Sequence, residues 1–331
     1  MKMKPLVSII IPAYNAQTWI SQTIQSALSQ TWPEKEIIVV DDGSTDRTLD
    51  TAKRFQSGNV RVISQENRGA SSARNAGYHR SQGDFIQWLD ADDVLAPEKI
   101  EKQIAFSLGR DGRGEIMTSP FGTFYRNTSK ARFTPTGLWK DLDPVEWIVT
   151  KMGSNCWMYP GAWLVPRNIV ETAGLWDERL SFDDDGEFYS RAVSHSRDVC
   201  FVEGAKSYYR IGNVGSLSKS KNYKACRSLL LSLKSTIQRL LELEDSERTR
   251  QAGVNALNTW LHYFYPEKTD LLREIEELAQ KLGGDLEPQD FGWKYEPVRR
   301  LFGYKAAKNA HFRYNEIKTS MISSLYRVLG Y

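Results

Sequence analysis

Cysteine is scarce in this sequence. Of 331 residues only Cys156, Cys200 and Cys226 are cysteines, odd in number and far apart, and only four His occur. With no CxxC pair, neither a zinc centre nor a secreted disulfide framework has the side chains it needs, and sparse thiols fit a reducing cytosol. A surplus of one charge is also missing. The 44 Lys/Arg against 41 Asp/Glu leave a formal +3, too little for a general affinity for nucleic acid. No stretch approaches the ~18 uninterrupted apolar residues of a membrane span. The opening "MKMKPLVSIIIPAYN" is broken by Ser8 and Pro12 and shows no small-residue cleavage site, so it reads as a first strand, not a signal peptide. No G-x-G-x-x-G follows a strand-like run, which argues against a dinucleotide-dependent oxidoreductase. The expectation is a cytoplasmic protein.

What the sequence does contain is a strand–helix alternation over its first hundred residues. "LVSIIIPAY" (6–14) is a dense β-branched run, and Ile20, Ile24, Ala27 and Leu28 follow at helical spacing within 18–30. "KEIIVVDDGS" (35–44), "NVRVIS" (59–64) and "GDFIQWLD" (83–90) read as further strands, with helices over 44–55 and 70–81 between them. Such an order implies right-handed βαβ units and a mostly parallel α/β sheet, whose ligands bind at the carboxyl ends of the strands. Between 114 and 215 the texture changes. "EIMTSPFGTFYR" and "DVCFVEGAKSYYR" look like longer strands of a mixed sheet, and 143–152 and 182–193 like helices. From about 222 the chain is helical and Leu-rich, after a Gly/Ser/Asn cluster at 213–221 that suggests a boundary.

Carboxylates gather where strands should end. "LDADD" places Asp90, Asp92 and Asp93 directly behind an apolar run. Three like charges in four positions suit the holding of a hard divalent cation through oxygen, and Mg²⁺ uses only one or two protein carboxylates besides water and phosphate. In an extended segment Asp90 and Asp92 share a side, leaving Asp93 to cap the following turn. In "VVDDGSTD", Asp41 and Asp42 are either turn formers or acceptors for the N–H of a base and the hydroxyls of a ribose. "NRGASSARNAG" brings Arg68, Arg74 and Asn75 to the same edge, and Arg suits diphosphate oxygens. "SFDDDGEFYSRAV" puts three acids at a helix start; the dipole favours them there, and a carboxylate reaching the crevice can serve as general base.

Taken in series, "VSIIIPAYN", "VVDDGSTD", "NRGASSARNAG", "FIQWLDADD" and "WDERLSFDDDGEFYSRAV" resemble the family-two glycosyltransferases with a GT-A fold, over roughly residues 5–215. The resemblance implies a Rossmann-like sheet flanked by helices in residues 1–215, with a nucleotide-binding half (1–110) and an acceptor half (111–215). Residues 222–331 then form a helical C-terminal region. It further implies an inverting enzyme using a nucleotide-diphosphate sugar, a UDP-sugar, with Mg²⁺ or Mn²⁺. Pro12, Tyr14 and Asn15 would line the nucleotide pocket, and Asp42, with Asp41, would contact the base. Arg74 would be a donor-side polar contact, as Arg68 is on its own chemistry. Asp90 would face the ribose or metal shell and Asp92 would be the main metal ligand. Asp185 would be the catalytic base, with Asp184 as the neighbouring alternative because three Asp in a row blur the register. The family's acidic pair is commonly followed by Trp; here Gly186 follows, which removes a bulky wall. The Gln-x-x-Arg-Trp motif of processive synthases is missing, so one sugar is expected per encounter, going to a glycan or lipid-linked acceptor in cell-surface polysaccharide, glycolipid or glycoprotein glycan synthesis.

Two rivals remain at this level: a haloacid-dehalogenase-type phosphatase with Asp90 as nucleophile, and a catalytically dead sugar-nucleotide-binding protein. Trp157, Tyr159 and Trp163 are either sugar platforms or core. Residues 291–331 carry eight Lys/Arg and two Asp/Glu, a local +6, interleaved with aromatics. That pattern suits either a helical cap or peripheral contact with the inner face of an anionic membrane.

Overall fold

The computed structural model describes residues 4–110, 114–212, 222–287 and 291–328. The nucleotide half alternates as expected: β1 (Val7–Ala13), α1 (Ile20–Leu28), β2 (Lys35–Asp42), α2 (Thr48–Lys53), β3 (Val60–Gln65), α3 (Ala70–His79), β4 (Phe85–Trp88), β5 (Val94–Leu95) and α4 (Lys99–Leu108). The acceptor half contributes β6 (Glu115–Thr118), β7 (Phe121–Phe124), β8 (Arg132–Phe133), α5 (Pro144–Gly153), β9 (Val165–Pro166), α6 (Arg167–Ala173), α7 (Asp184–Ser194), β10 (Asp198–Phe201) and β11 (Ser207–Arg210). Four helices follow: α8 (Tyr223–Leu243), α9 (Glu247–Trp260), α10 (Thr269–Lys281) and α11 (Glu296–Val328), the last kinked at Gly303. The boundary expected at 213–221 lies outside the described residues.

The main sheet has the order β3-β2-β1-β4-β9. Its first four strands are parallel and β9 runs antiparallel at the edge. β1 is central and every one of its residues is buried, which is why Ile9, Ile10 and Ile11 run together instead of alternating with polar residues. Its two faces feed separate cores. Ile9 and Ile11 pack with Ile37 and Val39 on one side, while Ile10 joins Ile86 and Trp88 on the other. Each such side chain taken from water contributes on the order of 1.5–3 kcal/mol. The core around Ile10 continues through Trp163 and Phe188 to Leu229, Ile237, Leu257 and Ile275, so the C-terminal helices share it with the acceptor half.

Two expected strands prove to be pairs. Residues 115–126 break at Pro120, leaving β6 to pair with β10 and β7 with β11 in different sheets. Residues 198–210 break in the turn containing Gly204, giving β10 and β11. A proline cannot donate to a ladder, and the apolar run hides the sheet switch because both halves are buried.

Candidate active site

All four parallel strands end at one edge of the sheet. The turn after β2 holds Gly43 at φ +70°, where a Cβ would lie 2.7 Å from the Asn67 nitrogen, so this position needs glycine. Asp41 and Asp42, adjacent on β2, have different surroundings. Asp42 accepts from Gln65 Nε2 (2.7 Å) and from the backbone N–H groups of Arg68 (2.9 Å) and Gly69 (2.8 Å), fixing the entry to α3. Asp41 Oδ2 accepts from Ser64 Oγ at 3.1 Å, while its buried Oδ1 has no hydrogen-bond partner among the described residues. Of the two, Asp41 carries the open acceptor.

Pro12 is buried in β1 and Tyr14, just past its end, is 52% exposed. Asn15 sits at φ +49° and its Oδ1 accepts from the Thr45 N–H at 2.8 Å, tying the β1–α1 loop to the β2–α2 loop. That bond shapes the loop. Arg68 is on the surface, paired with Glu178 at 2.9 Å. Asn75 holds the far loop in both directions, donating to the Trp176 carbonyl and accepting its N–H.

Arg74 joins the two acidic motifs. Buried on α3, its Nη1 donates to Asp184 Oδ2 at 2.7 Å and its Nη2 to Asp90 Oδ1 at 2.9 Å. Its guanidinium stacks 4.2 Å from the centre of the Trp176 ring, which itself stacks on Phe188. Asp184 also accepts from Ser71 Oγ at 3.1 Å. Both partner carboxylates hold the Arg74 guanidinium more firmly protonated than usual, although burial opposes them.

Asp185 has no such ion pair among the described residues; its Oδ1 accepts the N–H of Gly186 at 2.9 Å. Burial first, then the charges of Asp184 and Asp183, push its carboxyl up to about 7, against the pull of Arg74 and with a further push from Asp90. Asp184 is thus neutralised by a guanidinium and Asp185 is the poised carboxyl of the two.

After β4 the chain turns instead of staying extended, with the Asp93 N–H donating to the Asp90 carbonyl at 3.0 Å. Strand alternation, from which Asp90 and Asp92 were expected to share a side, therefore does not apply here. Asp93 does not cap a helix either. It is fully buried, and its Oδ1 accepts the Arg210 N–H at 2.6 Å from β11. Burial and the neighbouring Asp92 and Asp90 charges raise its pKa. The Arg210 side chain completes the clamp, donating to the carbonyls of Asp92 (2.7 Å) and Tyr125 (2.8 Å) and to Gln22 Oε1 (2.6 Å). Sequence reasoning missed Arg210, whose only signal was a lone Arg closing an apolar strand.

No group of three or more His, Cys, Asp or Glu side chains is gathered to hold a metal among the described residues. The donor set present is two carboxylates, one of them, Asp90, 28% exposed with one oxygen already on Arg74. Such a set fits Mg²⁺ or Mn²⁺ taking its other ligands from diphosphate and water, and does not fit a cation held by protein alone.

Gly186 leaves no open wall. A Cβ there would collide with the carboxylate of Asp183, which folds over the start of α7 from a left-handed conformation (φ +55°). Of the three aromatics considered as sugar platforms, Tyr159 and Trp163 are core, and Trp157 is 46% exposed. Trp157 packs edge-on against Tyr209 at 5.3 Å. The Tyr209 hydroxyl is pushed up by burial and by the charges of Asp93, Asp90, Asp92 and Asp185.

Known proteins share both the motifs and the fold. Residues 8–138 match the model of the family described as Glycosyl transferase family 2. The chain is 44% identical over 110 residues to a putative teichuronic acid biosynthesis glycosyltransferase, TuaG, of Bacillus subtilis, covering 32% of this chain and 44% of that one. It is 44% identical over 103 residues to a chondroitin synthase of Escherichia coli, covering 30% of this chain and 15% of that one. The alignments thus span less than half the length of these relatives. Among solved structures, S. aureus TarS (1–349) superposes with a TM-score of 0.64 at 18% identity, covering 98% of this chain and 92% of that one. The same TarS fragment is known in complex with UDP-GlcNAc, where the TM-score is 0.61. The shared architecture is the expected α/β GT-A fold with a helical C-terminal region. Residues 8–138 are a family-two glycosyltransferase domain.

Proposed function

We propose that the chain moves one sugar at a time from a UDP-sugar to an acceptor hydroxyl of a surface glycan by a single inverting displacement, with Asp185 as base. The observation that carries this reading is the contrast between the paired Asp184 and the unpaired Asp185, one residue apart. The acceptor oxygen attacks the anomeric carbon, its proton passes to the Asp185 carboxylate, and the bond to the diphosphate breaks with its electron pair leaving on the nucleotide. A bound Mg²⁺ or Mn²⁺, held by Asp92 and Asp90, would supply neutralisation of the charge on that diphosphate. Arg74 bridges Asp90 and Asp184 and offsets part of their combined charge. The unpartnered Asp41 Oδ1 suits a base with a ring N–H, such as uracil, and the exposed Tyr14 offers a stacking face. Trp157, beside Tyr209, is the aromatic that remains available to an acceptor sugar.

The test is a thermal-shift panel of UDP-, GDP-, dTDP- and CMP-sugars with and without Mn²⁺. A UDP-sugar at about 100 times its Kd should stabilise the fold by about 2.7 kcal/mol, and more with the ion than without it. Stabilisation by CMP-sugars alone would end the assignment, since cytosine has no ring N–H for Asp41.

The acceptor side extends the proposal to a lipid-linked or membrane-proximal glycan. No helix among the described residues is long and apolar enough to cross a membrane. On α11 and the segment before it, Trp293, Leu301 and Phe302 are more than 70% exposed, among Arg299, Arg300 and Lys305. The last residues of the basic tail, 329–331, lie outside the described residues. Vesicles containing anionic lipid should bind the full chain and release it as salt rises, and a chain ending at residue 290 should bind them far more weakly. Equal binding by the two would remove the tail from the proposal.

A further inference from the structure

The helix start that carries Asp185 is not held by residues 114–212 alone. On α8 the serines 228, 232 and 235 follow one another at spacings of four and three, so they share a helix face. Each meets the segment around the base. Ser228 Oγ accepts the N–H groups of Ser181 (2.9 Å) and Phe182 (3.0 Å) and donates to the Phe182 carbonyl (2.7 Å). Ser232 Oγ donates to Asp183 Oδ2 at 2.5 Å, and Ser235 Oγ donates to Glu187 Oε1 at 3.1 Å. The clasped residues, 181–183 and 187, bracket Asp184 and Asp185 on both sides.

The geometry between the clasps is constrained. Asp183 is in the left-handed region, which among non-glycine residues Asp and Asn enter most readily. Its carboxylate occupies the space over Gly186, so a Cβ there would have to displace it. From the other side Lys151 of α5 donates to the Gly186 carbonyl at 2.9 Å. The first turn of α7 is thereby held between α8 and α5, and the unpaired carboxylate of Asp185 projects from it. Ser228 and Ser232 are buried, and hydroxyls in an otherwise Leu-rich helix face are costly there unless bonded.

We infer that α8 is part of the transfer apparatus: Ser228, Ser232 and Ser235 are positioning residues that fix the orientation of Asp185. The C-terminal helical region is then required for turnover and not only for stability. This inference rests on Asp185 being the base, and the experiment separates the two. Its first readout needs no substrate. Amide hydrogen exchange over 181–187 should quicken at least tenfold in Ser232→Ala while α1 to α3 exchange as in the wild type. The second is turnover with water as the acceptor, followed as UDP release on hydrolysis of whichever UDP-sugar stabilises the protein most. Ser232→Ala should lose at least tenfold in kcat with the donor KM within twofold. Asp183→Ala should behave alike. Asp183→Asn, which tolerates positive φ and still accepts the serine hydroxyl, should recover most of the loss. Unchanged exchange, or a kcat at the wild-type level in Ser232→Ala, overturns the inference, as does a loss that appears in donor KM instead. Asp185→Asn is run beside them: wild-type turnover in that variant sinks the base assignment, whatever the serine variants show.

Discussion

Asp185→Asn should lower turnover by about 10²–10⁴-fold, the range a positioned general base contributes, with donor affinity within about twofold of wild type. The substitution keeps the size of the side chain and the bond from the Gly186 N–H, and removes only the ability to take a proton. The comparison that gives the result meaning is Asp184→Asn. Asp184 is the partner of Arg74 and Ser71, so its loss should appear first as lowered stability and disturbed donor binding. Abolished turnover in Asp184→Asn with intact turnover in Asp185→Asn would move the base by one residue. The pH profile supplies an independent reading. A base works only when ionised, and burial with the flanking Asp184 and Asp183 charges holds Asp185 protonated up to about pH 7. The rate should therefore rise with pH through about 7, and that limb should vanish in Asp185→Asn. Stability runs the opposite way. The unfolded carboxyl loses its proton near pH 4, the folded one near 7, so the folded state alone binds it across that window. This group's contribution is complete below about pH 4 and is lost as pH rises through about 7.

How far the sequence alone reaches follows the distance over which each interaction acts. The nucleotide half was legible because β1, β2 and α3 are set by local patterns: a β-branched run, an acid-glycine turn, a helical spacing. The acceptor half was not, since Pro120 and Gly204 send apparently continuous strands into different sheets. The acid clusters at Asp90 and Asp185 stood out in the sequence, but their surroundings depend on partners far along the chain. Arg74 reaches Asp184 across 110 residues and Arg210 reaches Asp92 across 118. No spacing rule encodes such pairs. Motif membership also leaves intramolecular contacts unread. Asn15 and Asp42 belong to the recognisable strings, and the fold uses their side chains to pin loops. Gly186 shows the converse: a departure that looked like a missing wall is the space that the Asp183 carboxylate fills.

Arg74→Ala should produce the largest loss of stability among site substitutions, about 3 kcal/mol or more by urea unfolding, because it removes the cation from two carboxylates in one step. Side-chain exposure is 7% for Arg74 against 28% for Asp90 and 20% for Asp184, so the penalty is that of a largely, not wholly, buried network. The stacking face of Trp176 would also lose its partner. A second consequence reaches Asp185, which Arg74 holds down against the push of its neighbours. Without the guanidinium, the limb of the rate profile near pH 7 should move upward, so a neutral-pH assay would understate the remaining activity. Arg74→Lys divides the two effects. An ammonium keeps the charge, and hence most of the pull on Asp185, but as a point charge it lacks the planar fork that bridges Asp90 and Asp184 at once. It should leave the pH limb near its wild-type position while restoring only part of the stability. If Arg74→Ala unfolds at the wild-type urea concentration and its pH limb does not move, Arg74 does not organise the acidic centre, and Asp90 and Asp184 must be balanced by other means.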